Sequence, residues 1–192
     1  MRPDDAPRFT LADHARDASL AHVRALMRAV PDFPKPGILF RDVTPVLSDA
    51  QGLDAAVALL LDRIADLDQR IDRIVGIESR GFLFGMAIAV LMRAGFVPVR
   101  KPGKLPAATI EESYALEYGV DRLQIHADAI IPGERVLVVD DLLATGGTAA
   151  ATCKLVERLG GKVEACLFLI ELDVLGGRGR LDGRRVESVL TY

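Results

Sequence analysis

The sequence predicts an α/β fold in which a mostly parallel central sheet is flanked by helices. Three observations carry that prediction. Apolar, strand-like runs alternate along the chain with stretches of helical period. One run, Val136-Leu-Val-Val139, is four apolar residues, three of them β-branched, as a strand buried on both faces requires. Two of the runs end in glycine-bearing turns that lead into helices, Glu78-Ser-Arg-Gly81 and Ala144-Thr-Gly-Gly-Thr148. In a parallel sheet both turns fall at the carboxyl edge, where folds of this class bind ligands.

The 192 residues suffice for one domain with a full core, so residues 1–192 are read as a single unit. Half are apolar and 27% are charged, the balance of a globular protein in water. A net charge of −3 argues against a nucleic-acid binder, which carries a basic excess. Cys153 and Cys166 fit neither a zinc spacing nor a disulfide framework and read as buried thiols. The first residues hold no apolar signal segment, and the longest apolar run, Phe82 to Met92, is too short to span a bilayer. A cytoplasmic protein is expected.

Residues 1–12 are expected to be disordered or loosely attached. Residues 13–48 form an N-terminal unit, beginning with a helix from Asp13 to Val30 that carries Leu20, Val23, Met27 and Val30 on one stripe. Pro31 ends it. His14 and His22 lack partners at metal-ligand spacing. Asp32-Phe-Pro-Lys-Pro-Gly-Ile-Leu-Phe-Arg-Asp-Val-Thr-Pro45 holds three prolines and a glycine, which exclude regular helix and fix an extended path. Such a rigid segment bearing Phe33, Phe40 and Arg41 can hold a flat ring; a connecting loop with aromatic anchors would carry the same residues. Ser48 or Asp49 caps the next helix, whose face is Leu53, Val57, Leu60, Leu61 and Ile64.

Ile71 to Ile77 reads as the first sheet strand. The turn after it offers backbone amides and the Arg80 guanidinium to an anion. Phe82 to Met92 is apolar nearly all round, so it is either deeply buried or part of a subunit interface. Phe96 to Val99 is a strand ending in Arg100-Lys-Pro-Gly-Lys104, whose three cations suit either a pyrophosphate or a solvated loop. Residues 104–127 read as a polar hairpin turning at Gly119, an insertion of the kind that closes over sites. A helix from Thr148 to Leu159 stops at Gly160-Gly161, and strands follow at Val163 to Leu172 and Val186 to Leu190. The arginines at 178, 180, 184 and 185 read as a solvated turn.

The stretch Asp140-Asp-Leu-Leu-Ala-Thr-Gly-Gly-Thr148 carries the chemistry. Strand, glycine turn and helix start together aim unpaired N–H groups and a helix dipole at one spot. Gly146 and Gly147 let the backbone approach an anion, and Thr145 and Thr148 add hydroxyls. The loop lacks the lysine of a nucleoside-triphosphate loop and the spacing of a dinucleotide fingerprint. Two carboxylates beside a phosphate cradle suit sugar hydroxyls, directly or through a hydrated divalent cation. A strand end with two solvated acids would use the same residue types.

With these motifs in order, the chain resembles the adenine phosphoribosyltransferases, members of the type I purine/pyrimidine phosphoribosyltransferase family. The segments at 32–42, 78–85, 100–106, 114–119 and the phosphate loop carry the resemblance. It implies the type I phosphoribosyltransferase fold, with a small N-terminal hood and an inserted flexible hairpin lid. It also implies a purine salvage reaction joining adenine to phosphoribosyl pyrophosphate with Mg²⁺, giving AMP and pyrophosphate, in a homodimer. Leu39 and Arg41 would present backbone groups to adenine while Phe40 packs on the ring. Asp140 and Asp141 would hold the ribose hydroxyls, and Ala144, Thr145, Gly146, Gly147 and Thr148 the 5-phosphate. Glu78, Ser79 and Arg80 would take pyrophosphate on a turn with a cis Glu78–Ser79 bond. Arg100, Lys101 and Lys104 would help, in their own or the neighbouring subunit. Glu117, Tyr118 and Arg80 would be the catalytic side chains, with no metal ligand supplied by the protein beyond Asp140 and Asp141. Hypoxanthine- and guanine-type relatives carry an acid where Ala144 stands, but xanthine-type ones also have alanine. A regulator that keeps this fold as a sensor would add a DNA-binding helical domain, for which the segment before Asp32 is too short.

Overall fold

The computed structural model describes residues 9–67, 70–115 and 119–192. Its centre is a five-stranded, wholly parallel sheet made of β3 (Arg73–Ile77), β4 (Gly95–Val99), β7 (Arg135–Leu143), β8 (Lys162–Glu171) and β9 (Val186–Thr191). Their spatial order is β4-β3-β7-β8-β9, all neighbours parallel. Successive side chains of a strand point to opposite faces, and β7 obeys this. Leu137 and Val139 enter one core while Val136 and Val138 enter the other. On the first face lie α1 (Asp13–Leu26), α3 (Ala50–Asp62) and α4 (Gly81–Met92), with Leu60, Ile88 and Val23 fully buried. On the second lies α5 (Gly147–Arg158), with Cys153, Leu155 and Val156 buried against Cys166 and Phe168. The two cysteines are free thiols, Sγ to Sγ 3.5 Å.

The N-terminal unit departs from expectation. The helix foreseen to Val30 stops at Leu26, and β1 (Arg28–Pro31) pairs antiparallel with β2 (Leu39–Asp42), Val30 opposite Phe40. Helical period could not reveal this, because the strand partner comes from ten residues downstream. A β-branched valine and a proline both suit a short edge strand, and Arg28 donates to Asp42 at 2.9 Å. Asp42 also accepts from the Thr44 hydroxyl, its main stabiliser, and its pKa falls to about 2. α2 (Thr44–Ser48) follows, and Asp49 caps α3 by accepting from the Gly52 N–H at 2.6 Å. The loose segment expected through residue 12 is corrected from Phe9 onward. Phe9 and Leu11 pack on the core, and Leu11 N–H donates to Asp62 at 2.8 Å.

The hairpin of β5 (Thr109–Ala115) and β6 (Val120–His126) also differs from a purely polar insertion. Leu123 and Ile125 are fully buried in the second core. Arg100 bridges Gln124 through paired backbone bonds of 2.9 and 2.7 Å, anchoring the hairpin base to the end of β4. Gly119 turns the chain at φ +105°. The arginine-rich segment is no solvated turn either. Arg178 pairs with Glu171, Arg184 with Glu157, and Arg185 with Asp66 and Glu187.

Candidate active site

Counted along the chain, the sheet order is 2-1-3-4-5, so the direction of winding reverses between β3 and β7. The crevice at the carboxyl ends of these two strands is the topological switch point, where ligands of open α/β sheets bind. Both glycine turns singled out in the sequence open there. β3 runs into Glu78-Ser-Arg and then α4, while β7 runs into Ala144-Thr-Gly and then α5. No side chain caps either helix; at α4 the Phe82 and Leu83 N–H groups donate to the Ser79 and Arg80 carbonyls, which tightens the first turn. Gly81 lets the two turns come together. A Cβ there would lie 2.6 Å from the Val139 carbonyl and 2.9 Å from an Asp140 carboxylate oxygen.

The second turn has the form of an anion cradle. Gly146 adopts φ +77°, a left-handed conformation that costs glycine nothing, and α5 begins at the next residue. Asp140, Leu142, Leu143, Ala144, Thr145, Gly146, Thr148 and Ala149 line a small recess at this point. The first turn carries a cis peptide between Glu78 and Ser79, the bond that the resemblance implied.

The adjacent acids have different surroundings. Asp141 is 4% exposed and meets Arg80 Nε at 2.5 Å. Asp140 lines the recess, and its pKa is pushed well above the ordinary carboxylate value, first by burial and then by the negative charge of Asp141. A site that holds a carboxylate this way is relieved by a cation or by hydroxyl donors. Among the described residues no three His, Cys, Asp or Glu side chains gather as a metal cluster. Asp140 and Asp141 supply two oxygen donors, the number from which Mg²⁺ is commonly held with substrate phosphates and water.

Glu78 carries a negative charge, and its side chain organises the cations instead of meeting an anion. It accepts from Arg100 at 2.8 Å and from the Lys101 N–H at 2.9 Å, and Arg100 holds its pKa below the usual range. Arg100 also donates to the Lys104 carbonyl at 3.1 Å, which folds the Lys101–Lys104 loop back over the site edge. Lys101 pairs with Asp121 of β6, and Tyr114 of β5 donates to the same carboxylate at 3.1 Å. The cationic loop and the hairpin are therefore linked by one polar chain. Glu117 and Tyr118 lie outside the described residues.

The hood reaches the crevice through Phe40. Its ring stacks edge-on with Phe33 at 5.2 Å, and the Arg80 guanidinium lies 5.6 Å from its centroid. Arg80 thus touches both the hood and Asp141. Leu39 is half exposed, and the Arg41 side chain turns away to stack 3.9 Å over Tyr192. Because β1 and β2 form a sheet of two strands, one edge of β2 has no strand neighbour among the described residues. Tyr114, Asp121 and Gly177 were assigned no role from the sequence. Asp121 and Tyr114 could have been found only by placing them opposite each other across a hairpin, which their register does.

A family model for the phosphoribosyl transferase domain matches residues 44–185. The adenine phosphoribosyltransferase of Vibrio vulnificus is 56% identical over 165 residues, covering 86% of this chain and 90% of that protein. The crystal structure of the Rhodothermus marinus enzyme of that name superposes with a TM-score of 0.86 at 52% identity, covering 92% of this chain and 99% of the other. The Saccharomyces cerevisiae one, complexed with D-2,5-dideoxy-2,5-imino-altritol 1,6-bisphosphate and adenine, does so at 0.85 and 39% identity, with 91% and 99% covered. Together with two glycine turns that open at one switch point, these matches show that the chain belongs to the adenine phosphoribosyltransferases of the phosphoribosyltransferase family.

Proposed function

We propose that this protein is a purine salvage enzyme that transfers the 5-phosphoribosyl group of phosphoribosyl pyrophosphate to adenine, giving AMP and pyrophosphate. One observation carries the reading. Two uncapped helix starts, α4 and α5, open into one crevice on either side of the Asp140–Asp141 pair, beneath an aromatic hood. A sugar bearing a phosphate at one end and a pyrophosphate at the other needs that arrangement of charges.

In this reading Ala144 to Thr148 hold the 5-phosphate through backbone N–H groups and the two threonine hydroxyls. Asp140 and Asp141 hold the ribose hydroxyls, and both would also hold Mg²⁺ through water. Bound Mg²⁺ neutralises charge building on the leaving pyrophosphate. Ser79, Arg80 and the backbone of Glu78 receive that pyrophosphate, helped by Arg100, Lys101 and Lys104. The free edge of β2 offers the backbone of Leu39 and Arg41 to the amine edge of adenine, and Phe40 packs on its ring. Arg80 couples the two halves, since it touches Phe40 and Asp141 at once. The hairpin carries Glu117, assigned to the proton at the base, and Tyr118; with residues 104–127 as a lid it excludes water from the activated sugar. Two thiols kept free support a reducing cytoplasmic compartment, and the apolar outer face of α4 supports a homodimer.

The test is turnover of adenine, hypoxanthine, guanine and xanthine with phosphoribosyl pyrophosphate and Mg²⁺. A backbone acceptor aimed at the adenine amine meets the carbonyl of a 6-oxopurine, acceptor against acceptor. Ala144 has no side-chain group to help the oxopurine ring in compensation. Adenine should lead in kcat/KM by at least roughly 10³-fold. Comparable values for any 6-oxopurine would mean the hood has been misassigned.

A further inference from the structure

The phosphate loop has a second wall behind it, formed by the 3-10 segment Gly177–Leu181. Two backbones meet there with no room for a side chain. A Cβ on Gly177 would stand 2.2 Å from the Ala144 carbonyl and 3.1 Å from the Gly146 nitrogen. A Cβ on Gly146 would stand 2.3 Å from the Gly177 carbonyl. The next residue ties this wall to the sheet. Arg178 grips Glu171, at the end of β8, with two parallel bonds of 2.6 and 2.7 Å, and donates to the Val186 carbonyl at 2.7 Å. Glu171 is 3% exposed, which makes the fork costly to break. Arg178 itself lies behind the loop and does not line the recess.

We propose that the Glu171–Arg178 pair, acting through Gly177, is a positioning device that fixes the backbone of the Ala144–Thr148 loop in its anion-binding form. It deepens, and rests on, the assignment of that loop to the 5-phosphate. Backbone N–H donors cannot be re-aimed by side-chain rotation, so their direction depends on what holds the loop from behind. The planar fork of arginine fixes angle as well as distance, which the single ammonium of lysine does not.

The experiment measures KM for phosphoribosyl pyrophosphate and for adenine separately, with melting temperature, in Arg178→Gln, Arg178→Lys and Gly177→Ala. Gly177 has no left-handed φ, so alanine there tests the close approach to the Leu143–Gly146 stretch without adding backbone strain. Arg184→Gln, which breaks the Arg184–Glu157 pair on the far end of α5, controls for general loosening. The expected result is a rise of at least about tenfold in KM for phosphoribosyl pyrophosphate in Arg178→Gln and Gly177→Ala, with the adenine value within about twofold. Arg178→Lys should recover part of it, and Arg184→Gln should leave both constants unchanged. Should Arg178→Gln not fold, Arg178→Lys decides, since it keeps the charge beside Glu171 but loses the planar fork, and a KM for phosphoribosyl pyrophosphate equal to wild type in it overturns the inference. Folded variants that melt lower yet keep the wild-type KM overturn the inference alone. A wild-type protein with no dependence on phosphoribosyl pyrophosphate overturns the site assignment, and the inference falls with it.

Discussion

Asp140 and Asp141 are neighbours in the chain with opposite electrostatic situations. The sequence marks both as strand-end acids beside a phosphate cradle, but not that Arg80, sixty-one positions earlier, neutralises one of them. That pairing depends on β3 and β7 lying side by side, which local pattern does not encode. Its consequence is measurable. A carboxyl whose folded pKa is raised contributes stability that is full below the unfolded value, about 3.9, and is lost as pH rises through the folded value. Ionised Asp140 therefore costs the ligand-free protein stability at neutral pH. Asp140→Asn keeps an acceptor for the Asp141 N–H, bonded at 2.9 Å, and removes the charge. Its melting temperature without ligands should match or exceed wild type at pH 7 to 8, and this advantage should vanish below about pH 4. Turnover should fall by roughly 10²-fold or more, and further in the variant that also carries Asp141→Asn. An Asp140→Asn protein that melts below wild type at pH 7.5 contradicts the assignment of burial and like charge as the cause.

Among elements, those with strong local signals are where the sequence puts them. The β3 and β7 runs, the Asp49 cap and the glycine stop of α5 are each set by residues close in the chain. β1 and the buried hairpin face are different, because tertiary partners decide them. The hairpin is docked as well as anchored. Glu112 pairs with Lys154 and Arg158 of α5, and Arg158 donates to the Glu111 carbonyl at 2.6 Å. The docked arms are therefore the fixed base of the hairpin, and Glu117 lies between them in the sequence, outside the described residues. Glu117→Gln should lower kcat by roughly 10²-fold if the side chain moves a proton. A rise in adenine KM with unchanged kcat would make Glu117 a positioning residue instead.

At the scale of the whole molecule, α4 carries the last consequence. Its inner side is Phe84 and Ile88, fully buried, yet Leu83, Met86, Val90 and Leu91 are 46 to 69% exposed. Their spacing of three, seven and eight residues from Leu83 puts them on one stripe of a helix that has no polar face to offer water. The sequence left open whether this helix is buried or interfacial, since an all-apolar run satisfies both. One chain covers only half of it. A contiguous exposed apolar stripe is the mark of an association surface, and a second copy of α4 presents the matching stripe under two-fold symmetry. The Arg100 guanidinium lies 6.0 Å from the ring of Phe82, at the start of the same helix, so the cationic loop borders this face. Pairing of two chains would bring that loop toward the neighbour's site. Sedimentation should therefore show a dimer at micromolar concentration. Charges placed in the stripe, Met86→Glu with Val90→Glu, would be desolvated in a dimer and should yield monomers. Those monomers should keep the fold by circular dichroism and lose activity if Arg100 or Lys104 serves the adjacent subunit. A wild-type chain that sediments as a compact, active monomer would remove the dimer from this account.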